Sequence, residues 1–333
     1  METEKTSKRK TYPQKWHEYN EAQTKEKLMF YKLLDELLNV IPEQAYTFGR
    51  PKKSFRDMFF CCMTKTYANT SARRTISELE LVKRAGYISE VCHFNTLLNY
   101  FGETRMKYVL DYLITLSALP LKNVEDTFAI DATGFGTKRF DRWVHDKYEV
   151  KSIDQGKFVK AHVTCGTKTN IVIKAEITPG NVHDNTQFED LFKATALNFN
   201  ITDFCADKGY LARDNMNLVD EYGATLYVPF KKGSTAKRRG SPTWNRMFKE
   251  FTLNRFEFDR HYHRRSNVET TFSMIKGKFG EFCKSKYMLT QTNEILCKIL
   301  AHNITCLIHE VLELKIDIDF PACEKLIISN PAQ

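Results

Sequence analysis

Helical periodicity fills the first 120 residues of this chain and stops at Pro120. Apolar side chains recur at steps of three and four over residues 20–41, which is typical of an amphipathic helix. Four further segments repeat the pattern, and the later ones end at glycine or proline; they are 55–67, 71–85, 92–101 and 105–119. We therefore predict an all-helical N-terminal region over residues 1–120.

Strand patterns begin after Pro120. Residues 127–131 form a short apolar run, 157–165 alternate, and 170–178 are rich in Ile and Val, so a turn at 168–170 predicts a hairpin. A helix opened by an Asp184 N-cap, a strand, a second helix and a third strand are then expected, over 184–198, 202–207, 213–222 and 224–230. This order predicts an α/β fold over 121–314.

The last third of the chain predicts three further features. Residues 231–250 are basic and contain Gly and Pro, which favours a loop or small insertion. Helices are expected over 259–278 and 293–314, and the apolar face of the second is wide enough for a buried element. The tail, 315–333, has no strong pattern.

Composition excludes several classes of protein. Of the 333 residues, 42% are hydrophobic and 27% charged, which does not fit a disordered, collagen-like or membrane-embedded chain. We expect no membrane partner, no secretory signal at the charged N-terminus, and a cytoplasmic location. The nine cysteines form no C-x-x-C pair, which favours reduced thiols in the core over a zinc site.

Positive charge is concentrated in one segment. The chain has 50 Lys and Arg against 41 Asp and Glu, a net charge of +9. Between residues 229 and 286 there are 15 basic and 5 acidic side chains, so this segment carries +10 and the remainder about −1. Such a segment indicates a polyanionic partner, most often nucleic acid, although a solvated charged face gives the same count.

Three acidic residues are candidates for a metal site. Asp131 and Asp207 end predicted strands, and Glu269 lies in the basic helix. Carboxylates at strand ends meet at the crevice of an α/β sheet, and hard divalent cations prefer oxygen ligands. Position alone is weak support, since the chain has 41 acidic residues.

The spacing around Glu269 is more specific. Residues 262–276 fit Y-x2-R-x3-E-x6-K, formed by Tyr262, Arg265, Glu269 and Lys276. On a continuous helix these steps place all four side chains on one stripe. The stripe then combines one metal-ligating carboxylate with two cations suited to phosphate and one aromatic ring.

With this motif, the sequence resembles the DDE transposases of bacterial and archaeal insertion sequences, in the subgroup with the Tyr-Arg-Glu-Lys signature. Residues 128–135, around Asp131, resemble the first-Asp block of that family. The D-x-G-Y block at Asp207 resembles the second, and residues 178–184 resemble the segment between them. The likeness covers residues 126–310, with spacings of 76 and 62 residues between the three acids.

The resemblance implies a ribonuclease H-like catalytic domain, a mixed sheet flanked by helices. It implies that Asp131, Asp207 and Glu269 are catalytic and hold two Mg²⁺ ions, with Mn²⁺ able to substitute. It further implies double-stranded DNA as partner, both transposon ends and target, and a homodimer in the synaptic complex. Tyr262, Arg265 and Lys276 would contact phosphates, and we add the neighbouring Arg264 and Lys278 to this DNA-binding set.

The N-terminal region carries two weaker expectations. The tripeptide at 49–51 resembles a minor-groove hook with Arg50 at its centre, although an interhelix turn gives the same sequence. The helices at 71–85 and 92–101 can form a helix-turn-helix that reads the transposon end, or can simply pack.

The sequence predicts a DNA-cutting and DNA-joining enzyme. Two alternatives stay open: a catalytically silent DNA-binding protein descended from a transposase, and a ribonuclease H-like nuclease that cleaves without joining.

Overall fold

The computed structural model describes residues 15–42, 48, 53–137 and 158–328. Five helices precede the first strand, within a few residues of the predicted bounds: α1 (Trp16–Leu38), α2 (Phe55–Tyr67), α3 (Ala72–Arg84), α4 (Phe94–Tyr100) and α5 (Thr104–Ala118). Serine caps fix two of the starts, because the hydroxyls of Ser54 and Ser71 accept hydrogen bonds from backbone N–H groups in the first turns of α2 and α3.

The connection between α3 and α4 is longer than expected for a helix-turn-helix. Residues 85–93 separate the two helices, whereas that motif uses a turn of three or four residues. The second helix is also short, spanning Phe94–Tyr100. Recognition of DNA by this pair stays a prediction, without the compact geometry of the motif.

The strands form one mixed sheet in the order β3-β2-β1-β4-β5. Antiparallel pairing joins β1 to β2 and β2 to β3, whereas β4 and β5 run parallel to β1. The bounds are β1 (Thr127–Gly136), β2 (Phe158–Gly166), β3 (Val172–Pro179), β4 (Asp203–Ala206) and β5 (Thr225–Tyr227). This sheet, flanked by helices and preceded by a helical region, confirms the expected ribonuclease H-like class.

Helices cover both faces of the sheet. On one face, α6 (Phe188–Asn198) packs against the hairpin, and Thr195 of α6 shares a 2.9 Å hydrogen bond with Thr164 of β2. The opposite face lies against α10 (Ser266–Phe279), whose Thr271 hydroxyl lies 3.6 Å from the Cys165 sulfur of β2. The alternation predicted for β2 therefore separates the two faces as expected.

The long helix α11 (Met288–Leu314) forms the centre of the fold. The side-chain amide of buried Asn303 accepts from the Val172 N–H at 2.9 Å and donates to the carbonyls of Val172 and Ile114. These bonds tie α11 to β3 and α5, so the N-terminal helices and the sheet share one hydrophobic core. By length and composition α11 is able to cross a membrane, and 78% of its apolar stretch is buried inside the protein.

Three local expectations are wrong. Part of the basic segment 231–250 is helical, because Ser241 caps α8 (Pro242–Leu253) and Pro242 occupies its first turn. The helix predicted over 259–278 is two helices, α9 (Arg255–Tyr262) and α10, joined by a 3-10 turn at His263–Arg265. Asp184 begins a 3-10 turn without capping it, since its carboxylate instead accepts from the Lys160 ammonium at 2.8 Å.

The remaining helices complete the chain around this core. They are α7 (Arg213–Glu221), between β4 and β5, and α12 (Phe320–Ile328), in the tail that showed no pattern. Within the described residues all nine cysteines are free and eight are buried, as expected for core thiols.

Candidate active site

Asp131 and Asp207 occupy equivalent positions on neighbouring parallel strands. The pairing of β1 with β4 ends at Ile130 opposite Ala206, and the two aspartates are the next residue of each chain segment. The prediction that β1 ends at Asp131 is wrong, because the strand continues to Gly136. The two carboxylates therefore lie where β4 leaves the sheet, and Asp207 starts the 3-10 turn Lys208–Tyr210.

The carboxyl group of Asp131 is partly buried and electrostatically unfavourable. Burial raises its pKa, and the negative charges of Asp207 and Glu269 raise it further. The Ala132 N–H, which donates to Oδ1 at 2.8 Å, and the Arg265 guanidinium lower it, without reversing the upward shift. Asp131 thus lies in a field that additional positive charge would relieve.

Glu269 lies in the first turn of α10 and projects toward solvent. Its side chain is 59% exposed, and Asp207 is also exposed. The Arg265 guanidinium lies between Glu269 and Asp131: Nη1 donates to Asp131 Oδ2 at 2.9 Å, and Nη2 donates to Glu269 Oε1. This single side chain links the acid on the helix to the acid on the strand.

Lys276 extends the site along β1. Its ammonium donates to the Thr133 hydroxyl at 2.7 Å and lies 5.3 Å from the centre of the Phe135 ring. Residues 131, 133 and 135 alternate along β1 and share one face of the sheet, so Lys276 and Asp131 lie on the same side. Burial lowers the pKa of Lys276.

Tyr262, the remaining residue of the signature, lies in the last turn of α9. It stacks on Phe258 with ring centres 6.2 Å apart, and burial raises its pKa while the Arg265 charge lowers it. The 3-10 turn separates Tyr262 from Glu269, so the signature does not lie on one regular helix. Arg265 and Lys276 nevertheless contact β1, at Asp131 and Thr133, and Glu269 is linked to the strand through Arg265.

The other predicted DNA contacts lie elsewhere or outside the described residues. Arg264 Nη1 donates to the Thr127 hydroxyl at 2.8 Å and lies 3.5 Å from Asp203, at the opposite end of the β1–β4 pair. The Lys278 ammonium pairs with Glu26 of α1. Arg50 lies outside the described residues.

Sequence reasoning missed the hydrogen bond between Asp203 and His261. His261 Nδ1 lies 2.6 Å from Asp203 Oδ2, and the imidazole stacks on Tyr227 with ring centres 4.7 Å apart. Asp203 and Asp207 are four residues apart, a spacing that places both on one face of a strand. This spacing was a usable signal, since both residues lie on the side covered by α9 and α10. These contacts hold α9 on the first residue of β4, Asp203, and on the last residue of β5, Tyr227.

The three acidic side chains are chemically suitable metal ligands, but in this structure they do not converge on one position. Carboxylate oxygens are the ligands preferred by hard divalent cations. The pKa of Asp131 is raised, first by burial and then by the negative charges of Asp207 and Glu269, so a bound cation would favour its ionised form. In the part of the chain that the structure describes, no three acidic, histidine or cysteine side chains form a ready metal cluster. Arg265 occupies the space between two of the three candidates.

The fold and the placement of the acids define a ribonuclease H-like domain with a cluster of carboxylates where its parallel strands part. The family described as transposase DDE domain matches residues 122–304, more than half of the chain, and the protein belongs to that family. No curated protein matches the chain. A solved structure, a pre-cleavage Mos1 transpososome, aligns with 97% of this chain and 99% of its own at 13% identity and a TM-score of 0.21.

Proposed function

We propose that this protein is the DNA transposase of an insertion sequence, in the subgroup with the Tyr-Arg-Glu-Lys signature, and that Asp131, Asp207 and Glu269 are its catalytic residues. One observation carries the proposal. Asp131 and Asp207 directly follow Ile130 and Ala206, the last residues that pair β1 with β4. Arg265 joins Asp131 to Glu269 through two hydrogen bonds. These contacts support a shared role for the three acids.

The carboxylates would hold two Mg²⁺ ions, with Mn²⁺ as a substitute. When bound, such a pair activates an attacking water or hydroxyl and stabilises the leaving oxygen at phosphorus. Because Asp207 and Glu269 are exposed, a DNA backbone can approach the acids from solvent.

The cations around the acids would position the DNA. Lys276 holds its charge next to β1 through Thr133, where it can contact a phosphate two residues along the strand from Asp131. Arg265 offers a planar fork that matches two phosphate oxygens, and Tyr262 lies beside it. These contacts would align the scissile phosphate before chemistry begins.

The reaction would proceed in two displacements. In the first, water attacks phosphorus and the bond to the 3′ oxygen breaks, which frees a 3′-OH at the transposon end. In the second, that hydroxyl attacks a phosphate of the target DNA and displaces a target 3′ oxygen. Both are in-line displacements, so one set of ligands serves both, and two protomers would act on the two transposon ends together.

Cleavage of a terminal repeat tests the proposal. Purified protein is incubated with Mg²⁺ and a duplex that carries the terminal inverted repeat flanking its coding sequence. We expect Asp207→Asn and Glu269→Gln to lose at least about a hundredfold in cleavage rate while still binding the duplex. Asp190→Asn, on α6 at the other face of the sheet, is the matched control and should cleave like wild type.

Three results would contradict the proposal. If the Asp207 and Glu269 variants cleave like wild type, other residues perform the chemistry. If wild type binds the repeat and never cleaves it, the protein is a DNA-binding descendant of a transposase. Cleavage without joining to a target duplex would instead identify a nuclease.

A further inference from the structure

The guanidinium of Arg265 occupies the place of a cation between two acids. It donates to Asp131 Oδ2 from Nη1 and to Glu269 Oε1 from Nη2, and its side chain is only 18% exposed. The two contacts come from different elements of the fold, a strand and a helix. Arg265 therefore both neutralises and fixes the pair.

We propose that Arg265 is a positioning residue that holds Asp131 and Glu269 while no metal is bound, and that it exchanges these carboxylates for a DNA phosphate when a divalent cation takes its place. The proposal rests on the proposed function, because it concerns the same acids. It adds that the metal and the DNA bind cooperatively, with Arg265 as the link between them.

Competition follows from the chemistry of the oxygens involved. A metal ion bound by Asp131 and Glu269 would need the oxygens that now accept from Arg265, and two cations in that space would repel each other. Displacement of the guanidinium breaks two charge-assisted hydrogen bonds, which are stronger than those between neutral groups. Metal binding to the free protein is therefore weakened.

A DNA phosphate removes that penalty. The guanidinium fork matches phosphate oxygens as well as it matches carboxylates, so a backbone phosphate nearby gives Arg265 an alternative partner. Once the side chain has moved, the two carboxylates are open to a cation. By linkage, a ligand that favours metal binding is itself bound more tightly in the presence of metal.

The adjacent arginine provides a matched control. Arg264 has the same charge and belongs to the same 3-10 turn, but it contacts Thr127 and Asp203 at the other end of the strand pair. Loss of Arg264 removes one positive charge without freeing Asp131 or Glu269. The comparison of the two variants thus separates displacement from a general effect of charge.

Titration with Mn²⁺ alone, followed by the paramagnetic signal of the free ion, tests the proposal on the full chain. We expect Arg265→Gln to bind Mn²⁺ about tenfold more tightly than wild type without DNA, since one displaced interaction is removed. Arg264→Gln should bind like wild type. Arg265→Lys, which keeps the charge but loses the fork, should lie between, and thermal melts report whether each variant is folded.

The same titration with excess blunt duplex DNA measures the coupling. We expect DNA to tighten Mn²⁺ binding in wild type and to have little effect in Arg265→Gln. The proposal is overturned if a folded Arg265→Gln or Arg265→Lys protein binds Mn²⁺ no more tightly than wild type.

Asp131→Asn distinguishes failure of this proposal from failure of the proposed function. If Asp131→Asn abolishes Mn²⁺ binding while Arg265→Gln leaves it unchanged, the metal site stands and only the exchange is wrong. If Asp131→Asn binds Mn²⁺ like wild type, the assigned metal site is wrong and the exchange fails with it.

Discussion

Acidic and basic side chains lie at both ends of the β1–β4 strand pair, but the negative charge is matched by partners at only one end. At the first residues of the strands, Asp203 is 7% exposed and is matched by Arg264 and His261. Roughly 13 Å further along, four residues at about 3.3 Å each, the guanidinium of Arg265 contacts two acids, Asp131 and Glu269, and the charge of Asp207 raises the pKa of Asp131. Consecutive residues of one 3-10 turn thus serve the two ends.

The difference lies in charge balance. A buried carboxylate with a full set of partners stabilises a fold and has no capacity left for a ligand. A cluster with more negative charge than its own partners neutralise has an unmet demand for cations, and here two of its acids reach solvent.

The largest effect on stability is expected at the balanced end. Asp203→Asn removes the charge that His261 and Arg264 share, so we expect a loss of about 2 kcal/mol in the free energy of unfolding, measured by urea denaturation. A stability within experimental error of wild type would show that the Asp203 cluster contributes little to the fold.

A smaller effect is expected for the cation beside the acidic end. Lys276→Ala should weaken DNA binding on every sequence and reduce the slope of log affinity against log salt by about one unit, because one phosphate contact is lost. Lys193→Ala, an exposed lysine of α6 on the opposite face, is the control. Equal slopes for wild type and the Lys276 variant would remove Lys276 from the interface.

The smallest expected effect is a gain in stability, whereas Asp203→Asn is expected to cause a loss. The pKa of Asp131 is raised in the folded protein, so the folded state binds its proton more tightly than the unfolded state, and ionisation costs stability. Without metal, Asp131→Asn should therefore be slightly more stable than wild type at neutral pH. The gap should shrink as the pH falls through the raised pKa of folded Asp131, and it should be gone below the ordinary pKa of an aspartate. Thermal melts across this pH range would contradict the argument if the variant were less stable at neutral pH.

Much of the fold was readable from local patterns. The five N-terminal helices, the β2–β3 hairpin and the buried last helix follow apolar periodicity and caps, which depend on neighbouring residues alone. The break in the signature helix at His263–Arg265 was not readable, since no glycine or proline marks it. The start of α8 did carry a signal, Ser241 followed by Pro242, within a segment whose basic composition suggested a loop.

The site divides in the same way. The order of Asp131, Asp207 and Glu269 could be found from motif spacing. The signature singled out Arg265 from its neighbour Arg264. The contacts of Arg264 with Thr127 and Asp203 could not be predicted, because they depend on tertiary packing that no spacing in the sequence indicates. The sharing of one core by the N-terminal helices and the sheet likewise depends on long-range contacts, such as those of Asn303.

The same chemical change at the two ends tests the central claim most directly. Asp131→Asn and Asp203→Asn each remove one carboxylate charge from the same strand pair, and each is assayed for Mg²⁺-dependent cleavage of the terminal repeat at a temperature where both are folded. We predict that Asp131→Asn gives no measurable cleavage and that Asp203→Asn cleaves at the wild-type rate. Cleavage by Asp131→Asn, or its loss in folded Asp203→Asn alone, would contradict the assignment.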